Sequence, residues 1–248
     1  MEALEVESVS RDFGGVHALT NVTFRVPVGQ RMAIIGPNGA GKTTLINIIS
    51  GQLPLSGGKI RLFGQDISRL AAHRRVHLGI SRSFQITSLF LRLTVLVNML
   101  LALEGVQRSQ FRILRPLLAD GNLLRRAQRL LGAWDLWDQR EQLVSEISYG
   151  EQRKLEIALS LASNPKVLLL DEPNSGLTRT ENAEIVKMIA NLGVEISVLL
   201  IAHDMDLVFH AAHRILVLHN GEVIADGTPA EVQADKYVQE IYLGNGSS

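Results

Sequence analysis

Gly36-Pro37-Asn38-Gly39-Ala40-Gly41-Lys42-Thr43-Thr44 is the stretch on which the fold turns. It fits the phosphate-loop pattern G-x-x-x-x-G-K-[ST], with Gly36, Gly41, Lys42 and Thr43 at the diagnostic positions. Before it, Arg31-Met32-Ala33-Ile34-Ile35 reads as a short apolar strand. After it, Thr44 to Ser50 reads as a helix closed by Gly51. Strand, glycine-rich loop and helix in that order separate the motif from a chance turn. Glycines permit positive φ, so successive backbone N–H groups can converge on a polyphosphate. The helix N-terminus adds partial positive charge at the same spot. Lys42 is placed to reach the β- and γ-phosphates, and the Thr43 hydroxyl to ligate Mg²⁺. The expectation is nucleotide binding.

Bulk composition removes several classes. Lysine plus arginine and aspartate plus glutamate number 25 each in 248 residues, so no global basic field points to nucleic acid. There is no cysteine, which excludes disulfides and thiolate metal sites. Met1 to Ser10 carries acids and lacks an apolar core, so it does not read as a secretory signal. The most membrane-like stretch, Leu89 to Val106, is interrupted by Arg92, Asn98 and Glu104. A spanning helix needs roughly 20 largely uncharged residues. This stretch is expected to be a buried or partner-facing helix, in a chain that is itself soluble.

Outward from the loop, Leu4 to Val9 and Val22 to Val26 alternate apolar and polar, as half-buried strands do. They predict a small antiparallel sheet beside the nucleotide. Phe13, just before the Gly14-Gly15 turn, suits either stacking on a nucleobase or ordinary packing. A strand is expected after Gly57-Gly58, then a helix over Ser68 to His77 whose basic residues form a solvated face. Gly79 to Gln85 reads as a strand. From Thr87 to Ala162 the periodicity is helical, with helices at Thr94–Leu103, Asn122–Leu131 and Arg153–Leu161 and with Trp134 and Trp137 in the core. The continuous apolar runs Lys166 to Leu170 and Ser197 to Ala202 suit parallel strands buried on both faces. Glu181 to Leu192 reads as a helix, Asn220-Gly221 as a hairpin turn, and Pro229 to Gly244 as a helical tail. The fold class is α/β: a phosphate-loop core with a parallel sheet, an N-terminal antiparallel subdomain and an α-helical insertion. Residues 1–86 and 163–248 make the core, and 87–162 the helical subdomain.

Ligands of such sheets bind beyond the carboxyl ends of the strands. The polar residues ending apolar runs are Gln85, Asp171, Glu172 and His203. Asp171 suits the acid that holds Mg²⁺. Glu172 would lie nearer the γ-phosphate and polarise an attacking water. Gln85 would ligate the metal or order that water, and His203 would hydrogen-bond the γ-phosphate. Ser148-Tyr149-Gly150-Glu151-Gln152 precedes a helix and forms a second anion site at its N-terminus. A capping box of Ser148 with Glu151 accounts for the serine but not for the glycine.

Taken in order, GPNGAGKTT, FQ, ISYGEQRKLEIA, VLLLDEP, SGLT and AHD resemble the ATP-binding subunit of an ABC transporter over essentially the whole chain. The resemblance implies ATP and Mg²⁺ as ligands. It makes Phe13 the adenine-stacking aromatic, Gln85 the Q-loop glutamine, Glu172 the general base and His203 the switch histidine. Ser148 to Gln152 become the signature, which binds the γ-phosphate held by the opposite subunit of a head-to-tail dimer. It further implies two transmembrane permease subunits, a second copy or a related ATPase, an indirect substrate-binding protein, and a peripheral place on the cytoplasmic face of the plasma membrane. Asp12-Phe13-Gly14-Gly15-Val16-His17-Ala18-Leu19, the SYG-x-QR-x-LEIA run and the Gly227-Thr228-Pro229 to Tyr242-Leu243-Gly244 tail narrow the resemblance to branched-chain amino-acid importers. Relatives handling urea, short amides or lipopolysaccharide are alternatives. A soluble ABC ATPase of cofactor assembly and a phosphate-loop kinase are the rivals from other classes. Tyr149, Glu151 and Thr178 depart from the wider family's usual residues.

Overall fold

A computed structural model of the chain describes residues 1–83, 89–106, 120–202 and 204–243. Strand β3 (Arg31–Ile35), the one that leads into the phosphate loop, lies inside a six-stranded sheet. Its companions are β6 (Ile80–Arg82), β7 (Val167–Asp171), β8 (Ser197–Ile201), β9 (Arg214–His219) and β10 (Glu222–Gly227), in the order β10-β9-β3-β8-β7-β6. The pairs β9–β3, β3–β8, β8–β7 and β7–β6 are parallel, and only β10 returns antiparallel. The continuous apolar runs are explained by burial on both faces. Met32, Ile34, Leu169 and Leu199 enter one core, while Ala33, Ile35, Leu168, Leu170 and Leu200 enter the other. Side chains alternating along a strand cannot leave either face polar here.

The first core is closed by helix α1 (Lys42–Ser50) and a four-stranded antiparallel sheet in the order β2-β1-β4-β5. Its strands are β1 (Glu2–Phe13), β2 (Val16–Pro27), β4 (Gly57–Leu62) and the short β5 (Gln65–Asp66). β1 and β2 are longer than their alternation predicts. Ser8 and Asn21 stand at positive φ, and register shifts bracket Val9, so bulges flip the pattern that the eye follows. Phe13 pairs with Val16 across a turn whose two glycines both have positive φ, as tight hairpins require.

Helix α2 runs only over Ala72–Leu78, not from Ser68, because Ser68 is spent on the turn before it. The Ser68 amide donates to Asp66 Oδ1 and its Oγ accepts from the Ile60 amide. The solvated basic face is also corrected at one position. Arg75 is 2% exposed and donates to the carbonyls of Ile48, Ile49, Leu70 and Ser68. Two of these are last-turn carbonyls of α1, where a cation opposes the negative end of the helix dipole. Arg75→Met is expected to lower the unfolding free energy by about 3 kcal/mol, since buried carbonyls lose a charged donor; urea unfolding measures it.

The second core is built from the opposite sheet face and a helical block. It comprises α3 (Val95–Val106), α4 (Gly121–Ala133) and α5 (Tyr149–Ser160), followed in chain order by α6 (Arg179–Ala190), α7 (Met205–Ala211), α8 (Pro229–Ala234) and α9 (Lys236–Leu243). The apolar stretch divides its duties. Val95, Met99, Leu100 and Leu103 are fully buried, whereas Phe90 and Leu91 are exposed. Trp134 is in the core; Trp137 is partly exposed with the Arg140 guanidinium 4.8 Å over its ring. The tail is two helices rather than one, broken at Asp235, whose backbone is extended. Among the described residues, no helix is long and apolar enough to cross a membrane.

Candidate active site

The loop from Gly36 to Gly41 is shaped by what lies behind it. A Cβ on Gly36 would stand 2.1 Å from the Leu218 carbonyl oxygen, so only glycine lets the chain leave β3 past β9. Gly39, at φ +81 with open space around it, is needed for its backbone conformation and leaves its surroundings clear. Asn38 is exposed, Ala40 is buried and Pro37 is intermediate, so the loop is anchored at its base and open at its crest.

Gly41 is the left-handed N-cap of α1, and among the described residues no side chain caps the helix. The first-turn amides are therefore left to an external acceptor, which is how a helix N-terminus binds phosphate. The Lys42 Nζ bonds the Gly36 carbonyl at 2.7 Å and the Pro37 carbonyl at 2.9 Å, centring the charge in the loop. Burial lowers its pKa, opposed by the carboxylates of Glu172 and Asp171. An added polyphosphate would bring further counter-charge to this buried cation. Thr43 is exposed beside Lys42, and Thr44 is half-buried in the same turn.

Register brings the acids to this edge. Asp171 pairs with Ile201, and Ile201 with Ile34, so Asp171 ends its strand level with the start of the loop. Its Oδ2 accepts from Arg82 Nη2 at 2.9 Å, and Arg82 Nη1 reaches Asn47 Oδ1 and Gln52 Oε1 at 2.6 Å each. Arg82 thus ties β6, α1 and β7 together, a role with no local signal in the sequence. Glu172, next in the chain, has φ +47, a sparsely used region for a residue with a side chain. Asp171 and the Thr43 hydroxyl suit a hard cation. The described residues hold no group of three His, Cys, Asp or Glu able to enclose one. Gln85 and His203 lie outside the described residues.

Helix α5 begins at Tyr149, not Arg153, so Tyr149, Gly150, Glu151 and Gln152 are its first turn. The Ser148–Glu151 capping box is present in full. A Cβ on Gly150 would stand 2.3 Å from Oε1 of Glu181, whose carboxylate caps α6 through Thr178 and accepts from the Gly150 amide. These bonds hold the Glu181 carboxyl below the usual range, those to Thr178 contributing most. Thr178, the departure in the SGLT run, is therefore a helix cap. Gln152 anchors the turn by donating to the carbonyls of Val144 and Ile147. Tyr149 is 46% exposed and donates to the Ser175 carbonyl.

Both the sequence and the fold recur in known proteins. Residues 19–175 match the ABC transporter family model, and residues 222–247 match that of the branched-chain amino acid ATP-binding cassette transporter. The chain belongs to the ABC transporter ATP-binding family. It is 36% identical to the high-affinity branched-chain amino acid transport ATP-binding protein BraF of Pseudomonas aeruginosa, over 97% of each chain. Identity to LivG of Escherichia coli, described in the same words, is 35%, again over 97% of each. The lipopolysaccharide export ATP-binding protein LptB of Haemophilus influenzae is 33% identical over 98% of each. Among solved structures, the ADP conformation of an ATP-binding cassette superposes with a TM-score of 0.89 at 31% identity, covering 98% of this chain and 99% of that one. This ABC ATPase therefore carries the α/β core expected from its loop.

Phe13 is 44% exposed at the hairpin tip, with the Arg11 guanidinium 4.6 Å from its ring, and is not a core residue. Further along β2, the Ala18 carbonyl lies against Gly41 of the loop. Phe13→Ala is expected to weaken ATP binding about tenfold, the value of one base–aromatic stack, with stability unchanged. Titration of a fluorescent ATP analogue checks it.

Proposed function

We propose that this chain is the ATP-hydrolysing subunit of an importer for branched-chain or other hydrophobic amino acids. The solute class is carried by the match at residues 222–247, because nucleotide chemistry is common to all ABC ATPases and this tail is not. Lys42 and the first-turn amides of α1 hold the β- and γ-phosphates of ATP. Thr43 and Asp171, with Gln85, hold Mg²⁺, which neutralises charge on those phosphates. Glu172 accepts the proton of the attacking water and His203 hydrogen-bonds the γ-phosphate. Ser148 to Gln152 bind the γ-phosphate held by a second subunit, so ATP closes a head-to-tail dimer and hydrolysis reopens it. Ser148 and Tyr149, both exposed at the start of α5, are on the surface where another subunit could meet them.

Two permease subunits take the motion through the groove between α2, α3 and α5. The groove has a volume of about 440 Å³ and is lined by Val76, Leu89, Phe90, Leu101, Ala102 and Leu159. An apolar trough of this kind suits a cytoplasmic helix of a membrane partner. The helical block 87–162 then moves against the core formed by 1–86 and 163–248. The complex sits on the cytoplasmic face of the plasma membrane, and a substrate-binding protein delivers the solute from the other side. The LptB likeness supports lipopolysaccharide transport as a second reading. Solubilised membranes from cells expressing the tagged chain distinguish them by what co-purifies. Two multi-spanning subunits accompanied by an amino-acid-binding protein support the importer. Lipopolysaccharide-linked permeases support the second reading, and a soluble scaffold removes transport altogether.

A further inference from the structure

Glu172 is held from behind by a side chain on the signature helix. Arg153, 6% exposed on α5, donates from Nη2 to the Glu172 carbonyl at 2.6 Å and from Nε to the Pro173 carbonyl at 2.9 Å. Its Nη1 bonds Oε2 of Glu156 at 2.5 Å, one turn further along the same helix. Glu156 is 3% exposed, and its Oε1 has no hydrogen-bond partner among the described residues. Burial raises its carboxyl pKa against the pull of Arg153. A pair this deeply buried, with an oxygen left unsatisfied, is poor value as a stabiliser, because desolvation offsets the attraction.

Its geometry has a different use. Glu172 stands at φ +47, with its amide donating to the Ile201 carbonyl at 2.9 Å and its carbonyl held by Arg153. One bond on each side of the Cα fixes a strained backbone, and hence the direction in which the side chain leaves it. The geometry points to Arg153, seated by Glu156, as a positioning residue that sets Glu172 for its work on water. This rests on the reading of Glu172 as the general base. Arg153 touches neither nucleotide nor water in this scheme; it acts through the Glu172 backbone alone.

The test is ATP turnover by the purified full chain. Arg153→Lys keeps the charge but cannot span three acceptors, and is expected to lower kcat about 10- to 100-fold, the scale of a displacement near 1 Å. KM and the affinity for a fluorescent ATP analogue are expected to stay within about threefold. The double variant Arg153→Met/Glu156→Leu replaces the pair by apolar groups, which buried pairs commonly tolerate, so it should stay folded, melting lower than the parent because the Glu172 and Pro173 carbonyls lose their donor, while showing the same loss of kcat. In a Glu172→Gln background, Arg153→Lys is expected to add no further loss to the single-turnover rate. Unchanged kcat in either folded variant overturns the proposal, as does an equal further loss in that background. Normal turnover by Glu172→Gln alone overturns the premise with it, whereas an inactive Glu172→Gln beside an unaffected Arg153→Lys overturns only the positioning role.

Discussion

Glu172→Gln is expected to lower ATP turnover by about a thousandfold, within the range for loss of a positioned general base, while leaving ATP binding intact. The amide is nearly isosteric with the carboxylate, so the backbone setting at φ +47 and its bonds to Ile201 and Arg153 are undisturbed. What is lost is an acceptor for the proton of the attacking water. ATP then persists, and the head-to-tail dimer it holds together should persist too. Size-exclusion chromatography should show a monomer without nucleotide and a stable dimer with ATP, and ADP should not replace it. Near-normal hydrolysis in this variant would remove Glu172 from the base role. Lost hydrolysis without an ATP-dependent dimer would keep the base and remove the dimeric cycle.

That Glu172 could be singled out at all reflects how its strand is built. Val167 to Leu170 are buried on both faces, so their apolarity is continuous and the first polar residues after them mark the sheet edge. The same logic located β8 and the loop after β3. It worked less well where local geometry breaks a period, as at the bulged β1 and β2. It also misplaced the start of α5, since Tyr149 and Gly150 are indifferent helix formers; the capping box of Ser148 and Glu151 was the better signal. Contacts between distant segments left no trace in one sequence. Arg75 looked solvated because a run of basic residues does not say which face turns inward. Arg82 beside Asp171, and Arg153 behind Glu172, join positions 89 and 19 residues apart, and nothing in the spacing announces either pair.

Lys42→Met should nearly abolish function by a different route. The methionine side chain matches lysine in length and apolar volume but brings no charge to the phosphates. Removal of one preorganised donor of this kind costs about 100- to 1,000-fold in turnover. Loss of a charged hydrogen bond weakens nucleotide affinity by about 10-fold or more. The fold should tolerate the change. The Lys42 pKa is lowered by burial, so its charged form costs the nucleotide-free fold stability below the folded pKa, and that cost is relieved as pH rises toward the unfolded value of 10.5. Methionine removes this cost at neutral pH and also removes the bonds to Gly36 and Pro37, two effects of opposite sign. The unfolding free energy at pH 7 should therefore shift by no more than about 1 kcal/mol. Lys42→Arg keeps the charge yet should fail as well, because a planar guanidinium cannot sit as a compact point charge between two loop carbonyls. Isothermal titration with ATP beside urea unfolding separates the outcomes. Lost binding in a stable protein assigns the ammonium to the phosphates, whereas lost binding that tracks lost stability would make Lys42 a structural tie within its own loop.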